Sequence, residues 1–173
     1  MFIGVELAEY RPLPDQPENW LIGSNPWIVR RRPGEPDLYA TLRSALEPGP
    51  ALLGSTGKHV PARTETRALS SLTLIAPLRV QWILENDFRG RPQSRVLFDL
   101  RGQPYNVPVT DPAWNSRVVR TLTSLKSGAY PQEVVGISKD SSILFTVSLS
   151  EPFQGYCYKL VAGIVEIAEA LEH

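Results

Sequence analysis

The chain has 173 residues, 42% of them hydrophobic, and its formal net charge is zero. That length suits one ordinary domain or two very small ones, with enough apolar mass for a packed core. Zero net charge argues against a binder that relies on its overall field, a single cysteine excludes an internal disulfide, and no apolar run approaches the roughly 20 residues of a membrane span.

The opening "MFIGVELAEYR" lacks the basic start and longer apolar block of a signal peptide, so the cytoplasm is the expected location. Phe2 to Ala8 alternates and predicts a strand. The proline-broken "PLPDQPENW" follows. "NWLIG" and "PWIVRRR" then predict two short strands around "SNP". Trp20 and Trp27 in these strands are expected to anchor a core. "PDLYATLRSALEPG" is the first helix, with Leu38, Leu42, Ala45 and Leu46 on one face and Pro48-Gly49 stopping it. "GPALLGSTGKHVPARTETRAL" has no clear period and is expected to be loop with a short strand.

The second half is more regular. "SLTLIAPLRVQWILEN" predicts a bent strand, or two joined at Pro77. "DFRGRPQS" is a polar loop. "RVLFDLRG" alternates, with Val96, Phe98 and Leu100 on one face, and "QPYNVPVT" returns beside it through Arg101-Gly102. Asp111 as cap and Pro112 at the first helical position open a second helix. Its apolar stripe is Trp114, Val118, Leu122 and Leu125, and Trp114 is expected to cap the fold. "KSGAYPQEVVGISKDS" is loop, "SILFTVSL" strand and "SEPFQG" turn. "YCYKLVAGIVEIAEAL" begins as a buried strand and is expected to finish as a short helix. The terminal "LEH", residues 171–173, resembles the start of a purification-tag junction and is set aside.

Residues 70–168 therefore read strand, strand, strand, helix, strand, strand. That order is the one of a five-stranded Greek-key barrel of the OB type. Residues 1–69 carry a shorter version and predict a reduced or partial first OB-like subdomain. The fold class is mainly β with short helices, built as one or two OB-like small barrels, the second the more complete.

Three stretches, "DQPENWLI", "VLFDLRGQPYNVPVTDPAW" and "SLSEPFQGYCYKLVAGIVE", together resemble the bacterial dual OB domain family, and the last is the most distinctive. The resemblance implies two OB-like barrels and a role in nucleic-acid or nucleotide binding within prokaryotic conflict systems such as phage defence. It carries over no catalytic motif. The family has a further strand block before the equivalent of Phe2-Ile3-Gly4-Val5, so the first barrel is expected to be reduced.

Charge is unevenly spread. Lys58 to Lys126 holds eleven basic and five acidic residues, and fourteen of the eighteen basic residues in the chain are arginine. Arginine suits bidentate contact with phosphate and stacks on bases, although an arginine-rich genome composition produces the same count. The usual ligand surface of an OB barrel is the face of strands two and three with the flanking loops. Those loops, "ENDFRGRPQS" and "SEPFQG", with the next strand, offer Phe88, Arg89, Arg91, Arg95, Arg101 and Phe153 as a nucleic-acid site. The two phenylalanines read either as stacking platforms or as plugs at the barrel ends. Arg30, Arg31 and Arg32 are secondary candidates for phosphate contact, or a solvated strand end. The expected partners are single-stranded DNA or RNA, a nucleotide, or another protein; no membrane, cofactor or metal is expected.

Catalytic readings are weaker. Asp87, Asp99 and Asp111 would need to converge on one pocket for metal-dependent cleavage. Asp111 is already accounted for by capping. With residue 173 set aside, His59 is the one histidine left to pair with Cys157, and it lies about 100 residues away in a loop. Lys159 would share a strand face with Cys157, either lowering its pKa or pairing with a carboxylate. A buried strand cysteine acting as a small hydrophobe is the favoured reading. The function expected is therefore a non-catalytic binding module, with a protein-assembly domain as the alternative.

Overall fold

The computed structural model describes residues 2–32, 34–47, 49, 51–62, 70–87 and 89–167. The alternating segment expected as one strand is divided at Val5 and Glu6 into β1 (Phe2–Gly4) and β2 (Leu7–Tyr10). Each part finds a different antiparallel partner: β2 pairs with β3 (Trp20–Ile22), and β1 with β4 (Ile28–Arg31). The result is two separate two-stranded ribbons.

Helix α1 (Glu35–Ser44) follows, with proline in its first turn. Leu42 and Leu46 of the expected face, joined by Tyr39, pack against Leu144 and Ile167 of the barrel described next. Ala45, expected on that face, is exposed because the helix has ended.

The rest is built around one large core. Its strands are β5 (His59–Pro61), β6 (Leu72–Ile75), β7 (Leu78–Asn86), β8 (Pro92–Leu100) and β9 (Gln103–Pro108). After helix α2 (Pro112–Leu122) come the two-residue β10 (Tyr130–Pro131), β11 (Ser142–Leu149) and β12 (Tyr156–Ile167). Strands β7, β8 and β9 form a meander, with β10 on its outer edge. The other sheet runs β5-β12-β11-β6. Strands β6 and β7 are successive parts of one path bent at Ala76-Pro77, which links the sheets on one side. On the other side Val109 meets Val161 in a parallel bridge, and the Thr110 N–H donates to the Val161 carbonyl at 2.8 Å. Counting β6 and β7 as one bent strand, the circuit is first, second, third, fifth, fourth, and back to the first. This is the partly open OB barrel expected from the element order.

The strand patterns explain the core. Along β8, Ser94, Val96, Phe98 and Leu100 point inward and alternate with half-buried residues, as pleating requires. They meet Trp82, Tyr105, Val107, Phe145, Val147 and Val161. Phe98 and Phe145 pack edge to face at 5.4 Å. Helix α2 covers the barrel. Asp111 accepts from the N–H groups of Ala113 and Trp114 at 3.0 and 3.1 Å, satisfying two donors that a helix start otherwise leaves open. Val118 and Leu122 are buried, and Trp114 stacks on Trp82 at 5.8 Å. Leu125, expected to continue the stripe, is exposed because the helix stops at Leu122. The segment expected as loop after α2 contains β10 and a 3-10 turn at Gln132–Val135, which buries Val135 beside Ile137.

Contacts cross the position near residue 70 where the sequence places a border. Leu46 bridges to Leu74, Leu52 is fully buried in the barrel core, and β5 adds to the edge of β12. Glu18 accepts from the Ser71 N–H and hydroxyl at 2.9 and 2.6 Å. Residues 168–170, expected as helix, lie outside the described residues. Among the described residues no helix is long and apolar enough to cross a membrane.

Candidate nucleic-acid interface

The start of β12 alternates strictly. Cys157, Lys159 and Val161 are buried, so Tyr156, Tyr158 and Leu160 lie on the outer face. β5 pairs with this stretch, His59 opposite Tyr158 and Val60 opposite Cys157. Directly opposed residues share a face, so His59 stands outside with the tyrosines and Val60 inside with the cysteine. The His59 ring lies 4.3 Å from the Tyr156 ring and 5.5 Å from the Tyr158 ring. The turn that delivers Tyr156 is a tight hairpin. Phe153 and Tyr156 exchange backbone hydrogen bonds of 2.8 and 3.1 Å, and the two residues between them, Gln154 and Gly155, have φ of 52° and 80°. Positive φ at both central positions matches the right-handed twist of the flanking strands. Phe153 is thereby set opposite Tyr156 with 61% of its surface exposed, so it does not plug the barrel end.

The arginines expected to accompany Phe153 are dispersed. Phe88 lies outside the described residues. Arg89 and Arg91 stand in the loop before β8, where Asp87 accepts from their backbone N–H groups at 2.8 and 2.9 Å. Asp87 also pairs with the Arg91 guanidinium at 2.9 Å. The Arg91 N–H is the largest influence on the Asp87 carboxyl and, with the Arg89 N–H and the Arg91 guanidinium, holds it below the usual carboxylate range; desolvation, second in size, opposes them. Arg95 on β8 donates to the side chain and backbone oxygens of Asn106 at 2.7 and 2.9 Å, and Glu85 lies 3.4 Å away. Arg101 is exposed in the hairpin after β8, with φ of 47°. β8 spans nine residues, so Arg91 before it and Arg101 after it are roughly 30 Å apart. One groove therefore does not hold all of them. Of the secondary candidates, Arg30, Arg31 and Arg32 are exposed on or beside β4, and Arg31 pairs with Asp37.

The outer face of β7, β8 and β9 is chemically different from that of β12. Arg79 is ion-paired with Asp99, Arg95 is occupied as above, and the other outward positions on β8 are Gln93 and Leu97. Among the described residues this face presents no aromatic ring.

Trp20 and Trp27, expected as core anchors, are exposed. Trp20 lies on β3 and Trp27 just before β4, beside two-stranded ribbons that no second layer among the described residues covers; Trp20 packs on Tyr10 at 5.0 Å instead.

The buried side of β12 does not activate its thiol. Burial pushes the Cys157 thiol up, and the nearby Asp15 carboxyl, to which it is hydrogen-bonded, adds to the shift. Lys159 neither activates it nor pairs with a carboxylate. Its ammonium donates to the carbonyls of Ser55 at 2.5 Å and Gly57 at 2.6 Å and to the Ser55 hydroxyl at 3.1 Å, over the Tyr105 ring. All three protons are satisfied, so the lysine clamps the segment before β5 to the barrel. Burial lowers its pKa to about 8. The three aspartates do not converge: Asp87 and Asp99 lie at opposite ends of β8, and Asp111 caps α2. Among the described residues no cluster of metal-ligating side chains forms.

His59, Tyr156 and Tyr158 were not among the expected site residues. The alternation in "YCYKL" places both tyrosines opposite the buried cysteine, a signal present in the sequence. Nothing local points to His59, which the pairing of β5 with β12 brings in from a segment without clear period.

A family model described as a dual OB-containing domain matches residues 2–164, nearly the whole chain. No curated protein and no solved structure matches it.

Proposed function

The chain belongs to the dual OB-containing domain family, and we propose on that basis that it is a non-catalytic nucleic-acid- or nucleotide-binding module serving a larger prokaryotic defence system. The observation that carries this reading is Phe153, a large ring held open to solvent at a rigid turn of an OB barrel. A single strand is bound by π faces for its bases and cations for its phosphates. Phe153 supplies the first, and Arg89, Arg91, Arg95 and Arg101 are the phosphate-contact candidates, with Phe88 beside them in sequence. Arg101 is the most available of these, since it is exposed and has no ion pair among the described residues.

Fluorescence anisotropy with labelled single-stranded DNA and RNA tests the reading. Binding is expected at low salt and should weaken steeply as salt rises, because each neutralised phosphate releases counterions. No binding to DNA, RNA or nucleotide at low salt would refute it.

A protein-assembly role is the second reading. It is favoured by one observation: Leu7, Trp20, Ile22, Ile28 and Val29 of the ribbons, and Trp27 just before β4, are all exposed, and large apolar side chains left in the open are candidates for burial against a partner. A stable complex with another protein that survives Arg89→Ala and Arg91→Ala would favour it.

A further inference from the structure

We propose that the rings of Phe153, Tyr156, His59 and Tyr158 form a stacking platform for unpaired bases, and that the ligand enters across β12 and β5 and not across the β7–β8–β9 face. This rests on the nucleic-acid reading above and names where and how that ligand is held. Three observations carry it.

The first is geometry. The four rings come from two strands and one hairpin turn, all on the outer side of the barrel, and consecutive members are linked by pairing or ring contact. Tyr156 and Tyr158 are spaced about 7 Å along β12, so each can present a face to its own base.

The second is rigidity. The buried partners on the reverse of the same strands, Val60, Cys157 and Lys159, hold β5 against β12, and the ammonium of Lys159 ties down the residues just before β5. The rings are thus preordered, which reduces the conformational entropy lost on binding.

The third is the contrast between faces. The β7–β8–β9 surface has its arginines engaged by Asp99, Glu85 and Asn106, and presents no ring among the described residues. A strand crossing the middle of that face would find no ring to stack on, and the exposed Arg101 stands beyond its end in the β8–β9 hairpin. Near the platform in sequence, the exposed Lys58 precedes His59, and the exposed Glu151 lies in the turn before Phe153.

Removing one ring should weaken binding by about 5- to 150-fold, the range that loss of one base–aromatic stack produces. The test is anisotropy with labelled 12-nucleotide thymidine and uridine oligomers. Phe153→Ala is the cleanest variant because that side chain is exposed. At Tyr156, Phe should retain binding and Leu should lose it, which separates the π face from apolar volume without opening a cavity. These changes should leave the salt slope unaltered, whereas Lys58→Ala should reduce it. Glu151→Lys should tighten binding. If the wild-type protein binds and the Phe153 and Tyr156→Leu variants bind equally well, the platform is wrong and the general reading survives. If the wild-type protein binds no oligomer, the platform falls, and the general reading falls with it when no nucleotide binds either. If it instead binds a peptide through Tyr156 with no response to oligomers, the platform serves proteins and this assignment is overturned.

Discussion

The strands of the ribbons in residues 2–32 are at least as apolar as those of the barrel that follows, yet the two regions treat their large side chains in opposite ways. Trp27, just before ribbon strand β4, is 62% exposed, while Trp82 in the barrel is fully buried. The difference is one of topology. A two-stranded ribbon has no second layer, and such an element is marginal by itself. The barrel folds five strands back on one another and roofs them with α2, so each inward residue meets neighbours from several elements. Hydrophobicity supplies a tendency to be buried; closure of a sheet decides whether anything is there to bury against.

That comparison can be broken at its strongest point first. Phe145→Ala should destabilise the fold by about 3–5 kcal/mol, the usual cost of deleting a buried ring and leaving a cavity. Chemical denaturation measures it, and a loss below about 1 kcal/mol would mean that the barrel is not the stable part.

The next effect is in pH. Lys159 has a folded pKa of about 8, below its ordinary 10.5, because of burial. Between those values the unfolded chain holds more protons than the folded one, so this lysine makes stability rise with pH. Cys157 and Tyr105 act the other way. Both are pushed up, mainly by burial, from ordinary values of 9.0 and 10.0, so their stabilising effect is present below those values and lost as pH rises further. The net rise should therefore be confined to about pH 8–9. It should stay under the roughly 1.4 kcal/mol per pH unit that one full proton carries. Denaturation across that window in wild type and Lys159→Met checks it: the rise should vanish in the variant.

Asp111→Ala should cost about 1 kcal/mol through the two N–H groups it leaves open at the start of α2. Asn, which also caps, should restore most of it. The smallest effect belongs to the ribbons: Trp27→Ala should change stability by no more than about 0.5 kcal/mol, as for ordinary surface substitutions. A loss as large as that of Phe145→Ala would show that Trp27 is covered in solution, which a rise in oligomeric state measured by light scattering would then explain.

What could be read from the residues alone was whatever a short stretch settles by its own energetics. The alternation of Val96, Phe98 and Leu100 sets which side of β8 faces inward. Asp111-Pro112 announces a helix by satisfying its own first N–H groups. Pro77 bends the first barrel strand, and Cys157, between two tyrosines on a β-branched, aliphatic run, reads as framework in preference to a reactive thiol. Each rests on contacts within a few residues, and each holds in the fold.

What only the tertiary structure decided depends on partners far away in the chain. The parallel contact of Val109 with Val161 that links the sheets, and the Ser55 and Gly57 carbonyls that receive the Lys159 ammonium, join residues about 50 and 100 positions apart. No local pattern encodes them, because strand alternation says that a face exists without saying what covers it. For the same reason Trp20 and Trp27, expected inside, lie outside, and His59, expected in a loop, stands in a row of rings.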